Sequence, residues 1–210
     1  MIMIYYYLLV LYRLRLSFAI VEVMIKTIIF DFYGVFQPDP YVNWLTKNDL
    51  QRTGVFDMLA KQLDHGEIDR DVFLDKLGEA VNRPVSYEEI FGKVPPELSK
   101  EVITIAQELK AKYSVGLLSN ASRHLRQRLI DEEIITLFDE IVISSEVGVA
   151  KPQTEIYTIM LDILQTKPEQ TLYIDDNVTF VETGKRLGIK SLLFTTSTDL
   201  RNMLQQMNIL

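Results

Sequence analysis

From residue 24 onward the chain repeats one pattern, a short apolar run that ends in a polar residue and gives way to a helical stretch. The runs at 26–30 (KTIIF), 114–118 (SVGLL), 140–143 (EIVI), 171–174 (TLYI) and 190–194 (KSLLF) are continuous rather than alternating. A strand that is apolar on both faces must be covered on both faces. Helical patterns at 97–113, 123–130, 154–165 and 179–187, the last stopped by Gly188, lie between them. This order predicts an α/β fold, a doubly wound parallel sheet. Residues 37–96 break the alternation with three helical stretches, at 42–51, 55–63 and 69–81. They read as a small α-helical cap domain inserted after the first strand, with residues 24–36 and 97–210 forming the core domain. Tyr41, Trp44 and Phe56 are expected to form the cap's own core, and His65 before Gly66 to mark a helix end.

The polar residues that end the strands carry the chemistry. Asp31 ends the first run with Gly34 as a turn signal, Ser119 and Asn120 end the second, and Lys151-Pro152 follows the third. Asp175 and Asp176 end the fourth. In an open parallel sheet a ligand binds outside the carboxyl ends of the strands, so these distant residues are expected to converge on one crevice. Carboxylates brought that close repel one another unless a cation is present, and an all-oxygen set suits Mg²⁺. The ammonium and hydroxyl would then face an anionic substrate group, with Asp31 placed to attack it.

Composition excludes competing chemistries. The chain has no cysteine, so a thiol nucleophile and a cysteine zinc site are ruled out. Two histidines are too few for a histidine-rich metal centre, and no serine stands in a G-x-S-x-G turn. A formal net charge of −7 argues against binding nucleic acid through its phosphates. Absence of cysteine fits a reducing compartment, and a cytoplasmic location is expected.

The motifs resemble those of the haloacid dehalogenase (HAD) superfamily across residues 24–210. They stand in order as FDFYGVF (30–36), LLSNAS (117–122), GVAKPQTEIY (148–157) and YIDDNVTFVETGKRLGI (173–189). The resemblance implies a Rossmann-like core and a nucleophilic Asp31 that forms an aspartyl intermediate. It implies that Ser119, Asn120 and Lys151 bind the phosphoryl group. Mg²⁺ would be held by Asp31, the backbone carbonyl of Tyr33, and Asp175 with Asp176. A substrate of the small phosphorylated-metabolite type, nearest the sugar phosphates, and a monomer or homodimer are expected.

One position departs from this pattern. Phosphatases of the superfamily normally read D-x-D, the second carboxylate acting as acid and then base, and here residue 33 is tyrosine. A tyrosine can donate a proton but is a poor base near neutral pH, so Tyr33 stands as a catalytic candidate of altered role. The D-x-Y-G sequence also resembles the 2-haloacid dehalogenases, which need no metal. A dehalogenase and a catalytically impaired binding or regulatory relative are therefore the alternatives to a phosphatase. The acidic pair at 175–176 favours the phosphatase, because two adjacent carboxylates are costly without a cation. Gln37, Asp39 and Arg52 are candidates to line the substrate pocket.

Residues 1–23 (MIMIYYYLLVLYRLRLSFAIVEV) are apolar but carry Arg13 and Arg15 near the middle, which is costly in a membrane span. They also lack the charge-first order of a secretory signal. They are read as an extension outside the catalytic fold, with a membrane or interfacial anchor as the alternative. Deleting residues 1–23 is expected to leave a soluble, folded protein by circular dichroism; an insoluble truncation would refute that reading.

Overall fold

The computed structural model describes residues 24–93 and 96–210, and the extension at 1–23 lies outside the described residues. The chain enters at strand β1 (Thr27–Phe30) and runs through four helices, α1 (Pro40–Lys47), α2 (Gly54–Asp64), α3 (Arg70–Val81) and α4 (Tyr87–Phe91). Then follow α5 (Lys100–Lys110), β2 (Ser114–Ser119), α6 (His124–Asp131), β3 (Glu140–Ile143), α7 (Ser144–Val147) and α8 (Thr154–Ile163). The chain closes with β4 (Thr171–Asp175), α9 (Val178–Arg186), β5 (Lys190–Leu193) and α10 (Ser197–Gln206). The five strands form one all-parallel sheet in the order β3-β2-β1-β4-β5, with β1 at its centre between β2 and β4. This is the expected doubly wound α/β fold. Among the described residues no helix is long and apolar enough to cross a membrane.

Period-two geometry divides each strand between two cores. Ile28, Phe30, Leu117, Leu172 and Ile174 face a cluster with Val102, Ile105, Leu109, Leu129, Leu200 and Leu204 from α5, α6 and α10. Their neighbours Ile29, Leu118, Val142 and Tyr173 face the other way, onto Ile156, Tyr157, Met160 and Leu161 of α8. That is why the strands read as unbroken apolar runs. Gly116 lets α8 come close: a Cβ there would collide with the Met160 side chain.

Helix ends match their local chemistry. Asp39 accepts hydrogen bonds from the N–H groups of Tyr41 and Val42, Asp69 from that of Val72, and Ser99 from that of Val102. The sequence reading started the helix after the inserted segment at 97; it begins instead at Lys100, one residue after the Ser99 cap. Three helices escaped the sequence pattern, the four-residue α7 among them. Helix α4 is a five-residue turn started by Ser86, too short to show periodicity. Helix α10 was hidden in a Thr/Ser cluster, although Thr196 and Asp199 make a capping pair there: the Thr196 hydroxyl accepts from the Asp199 N–H and donates to its carboxylate.

Helices α1 to α4 enclose a third cluster, with Tyr41, Trp44, Leu45, Leu59, Phe73, Leu77 and Ile90 buried and Phe56 packed against it. Tyr41 and Trp44 stack with ring centroids 6.2 Å apart, and the Trp44 indole N–H donates to Glu89 at 2.8 Å. The aromatic residues at helical spacing thus pack inward. Leu77→Ala is expected to cost about 2–5 kcal/mol of local stability. Hydrogen exchange should then accelerate through residues 40–91 while amides of β1, β2 and β4 keep their protection.

Candidate active site

The carboxyl ends of the central strands bring four charged side chains together. Lys151 is fully buried, its side chain 0% exposed, and its Nζ lies 2.9 Å from Asp31 Oδ1 and 2.7 Å from Asp175 Oδ2. The same ammonium donates to the Leu118 carbonyl at 2.9 Å, so all three of its protons are engaged. Asp31, Asp175 and Asp176 each place a carboxylate oxygen within 4.8 Å of one another. Three carboxylates and one ammonium leave a formal excess of two negative charges. The sequence candidates at 31, 151, 175 and 176 thus meet in space.

The two adjacent aspartates are not equivalent. Asp175 is fully buried; its Oδ2 also accepts from the Tyr173 hydroxyl, and its Oδ1 accepts from the Asn177 N–H at 2.7 Å. Its oxygens are therefore engaged from within the protein, which leaves Asp176 as the exposed member of the pair. Tyr173 was missed from sequence; it lies two residues before Asp175 on the same face of β4, a signal the strand period carries. On Asp31, Oδ1 takes the Phe32 N–H at 2.7 Å as well as Lys151, while Oδ2 has no hydrogen-bond partner among the described residues. Gly34 adopts φ +87°, and a Cβ at that position would collide with the Asp176 carboxylate. The turn after Asp31 requires glycine both for its backbone and for the space Asp176 occupies.

Electrostatics follow from burial and crowding. Burial raises the pKa of Asp31 well above its usual value; Lys151 opposes this, and Asp175 and Asp176 add to it. Burial and then the Asp175 charge push Asp176 up to about 6. Burial disfavours the Lys151 ammonium, but Asp175 and Asp31 outweigh it and hold its pKa above the ordinary value. Burial likewise raises Tyr33, so its phenol stays protonated at neutral pH.

The remaining candidates divide. Ser119 Oγ is fully buried at the end of β2 with no hydrogen-bond partner among the described residues. Asn120, expected to bind phosphate, is committed elsewhere: its Oδ1 accepts from the Lys151 N–H at 2.8 Å and its Nδ2 donates to the Lys151 carbonyl at 2.9 Å. These bonds clamp the lysine loop and leave the second Nδ2 proton without a partner among the described residues. Asp39 and Arg52 do line a narrow cavity of about 70 Å³ with Tyr33, Asp64 and Asn120. Gln37 does not: it is buried and lines a separate groove with Gly34 and Glu97. A wider cleft of about 440 Å³ shares Arg52, Asp64 and Asn120 with the narrow one and reaches Lys151 and Asn177. Asp64, which no local sequence signal distinguishes, therefore stands between the two. His65 caps α2, and its Nε2 lies 2.9 Å from Gln153 Oε1 in the loop after Lys151.

Residues 41–188 match the family of haloacid dehalogenase-like hydrolases. D-ribitol-5-phosphate phosphatase of Bacteroides thetaiotaomicron is 27% identical over 208 residues, covering 86% of this chain and 97% of that protein. Among solved structures, a HAD-like family hydrolase from Porphyromonas gingivalis is similar with a TM-score of 0.72 at 21% identity, covering 88% of this chain and 98% of that one. A HAD family enzyme of B. thetaiotaomicron, solved with magnesium and inorganic phosphate, gives a TM-score of 0.63 at 22% identity, covering 81% and 94%. The two structural likenesses are likenesses of fold. The chain belongs to the haloacid dehalogenase-like hydrolase family.

Because Lys151 compensates two buried carboxylates, Lys151→Met is expected to cost about 3–5 kcal/mol of stability. Urea unfolding measures this, and the double variant with Asp175→Asn should recover part of the loss. A neutral effect of Lys151→Met alone would contradict the ion-pair reading.

Proposed function

We propose that this hydrolase is a Mg²⁺-dependent phosphatase of a small phosphorylated metabolite of the sugar-phosphate type. One observation carries the reading: three carboxylates converge within 4.8 Å beside a single ammonium, a surplus of negative charge that a bound cation would balance. The donor set fits a hard divalent cation, with carboxylate oxygens of Asp31 and Asp176 and the backbone carbonyl of Tyr33 as ligands. Asp175, already bonded to Lys151, Tyr173 and Asn177, holds that lysine in place and adds its charge. When bound, Mg²⁺ neutralises the carboxylates and draws charge from the phosphoryl oxygens.

This chain's residues do the rest. Asp31 attacks phosphorus through its unpartnered Oδ2, the bond to the substrate alcohol breaks, and an aspartyl phosphate forms. Lys151, through its charge, and the Ser119 hydroxyl, which has no partner among the described residues, stabilise the equatorial phosphoryl oxygens. Asn120 positions Lys151 through its two backbone hydrogen bonds. Water then cleaves the acyl phosphate and returns Asp31. The helical segment at 37–96 acts as a cap, whose cavity with Tyr33 receives the alcohol part of the substrate. The named activity of the B. thetaiotaomicron relative supports a phosphorylated polyol as a first substrate to test.

The dehalogenase alternative is disfavoured by Asp176. Asp175 serves Lys151 with or without a metal, but chemistry that needs no metal leaves the exposed Asp176 carboxylate without a role beside Asp31, yet the turn after Asp31 leaves space for it. Purified protein with Mg²⁺ is expected to release phosphate from p-nitrophenyl phosphate and from D-ribitol 5-phosphate. Chelation by EDTA should stop this and added Mg²⁺ restore it, and Asp31→Asn should lower kcat on the order of 10³-fold or more. Full activity in EDTA, or phosphate release by Asp31→Asn at the native rate, would overturn the reading.

A further inference from the structure

With tyrosine at position 33, the phosphatase reading leaves one role unfilled. An alkoxide leaving group needs a proton, and the attacking water must then lose one. Tyr33 stays protonated and is a poor partner for the second task. Two carboxyl groups line the cavity that Tyr33 shares with the cap, Asp39 and Asp64. They sit at opposite ends of helices. Asp39 is the N-cap of α1, its Oδ1 already accepting from the N–H groups of Tyr41 and Val42. Asp64 is the last residue of α2, where the dipole disfavours an anion. Its side chain is 14% exposed, and among the described residues its close charged partner is Arg52, at 3.2 Å.

We propose that Asp64 is the general acid and base of the reaction, delivered from the cap in place of the carboxylate missing at position 33. This rests on the phosphatase reading. Asp64 lines the narrow cavity with Tyr33 and Asn120, from the loops after β1 and β2, and the wider cleft with the 150–153 loop, so from the cap it faces the loops that carry the candidate site. As the bond from phosphorus to the substrate oxygen breaks, the Asp64 carboxyl gives its proton to that oxygen and the alcohol leaves. The resulting carboxylate takes a proton from the water that attacks the aspartyl phosphate. Inorganic phosphate departs, and Asp31 as carboxylate and Asp64 as acid are restored. The groups facing Asp64 tune it in both directions. Burial raises its pKa most, Arg52 opposes, Asp39 adds to the rise and His65 opposes, leaving it at about 6. Arg52 is itself shared, 3.9 Å from Asp39 and 3.8 Å from Asp57, which weakens its hold on Asp64.

Leaving-group dependence tests this. Nitrophenolate departs without a proton, whereas an alkoxide does not. For Asp64→Asn with Mg²⁺, kcat/KM for D-ribitol 5-phosphate is expected to fall about 10²–10⁴-fold, and that for p-nitrophenyl phosphate by less than about tenfold. Asp64→Glu should recover part of the ribitol 5-phosphate rate. In the unmutated protein, the ratio of the two kcat/KM values should fall as pH rises through about 6, because the acid form is lost, and this slope should vanish in Asp64→Asn. Equal losses on both substrates, or a ratio independent of pH in the unmutated protein, would overturn the assignment of Asp64 and leave the phosphatase reading standing. No phosphate release from either substrate by the unmutated protein would overturn both.

Discussion

One buried ammonium organises the carboxyl edge of this sheet. Removing a charge from water costs several kcal/mol, and Lys151 is tolerated at 0% exposure only because three acceptors from β1, β2 and β4 surround it. Those acceptors are Asp31, the Leu118 carbonyl and Asp175, so one side chain ties together the ends of three neighbouring strands. The arrangement then propagates outward. Asn120 fixes the lysine backbone, Tyr173 and the Asn177 N–H fix Asp175, and the start of α9 follows from Asn177 as its cap. What remains uncommitted at the centre is one oxygen of Asp31, the carboxylate of Asp176 and the hydroxyl of Ser119. The groups free to meet a ligand are thus those the structural arrangement leaves over.

How much of this was legible in the sequence depends on the range of the interaction. The strands were, because burial on both faces makes each a continuous apolar run, and parallel pairing forces their polar ends to one edge. The grouping of Asp31, Lys151, Asp175 and Asp176 follows from that topology alone. Differences within the group do not: Asp175 and Asp176 are neighbours in the chain, and only alternation along β4 sends one inward to Lys151 and leaves the other exposed. Asn120 shows the same limit, since an amide after a strand suits an anion as well as it suits a neighbouring loop.

The inserted helices were legible as helices and not as a surface. Asp64 ends α2 like any polar residue at a helix terminus, and its burial is set by how the insert sits on the core. That placement rests on contacts such as His65 to Gln153, between residues far apart in sequence. Helix α10 is a different case, since its capping pair was present in the sequence and was masked by the surrounding threonines and serines. Function gathers where local pattern says least, because a site between two units draws on both and belongs to the periodicity of neither.

The tight turn at Gly34 has a consequence for how such a chain can change over time. Because the missing side chain at 34 is the space that the carboxylate at 176 fills, the two positions behave as a single heritable character. A lineage that acquires any side chain at 34 must displace the acid at 176, and one that has lost the acid is still held to glycine by the left-handed backbone of the turn. The acid at 176 can therefore be lost while the turn stays unchanged, and the glycine left behind keeps the space open for its return.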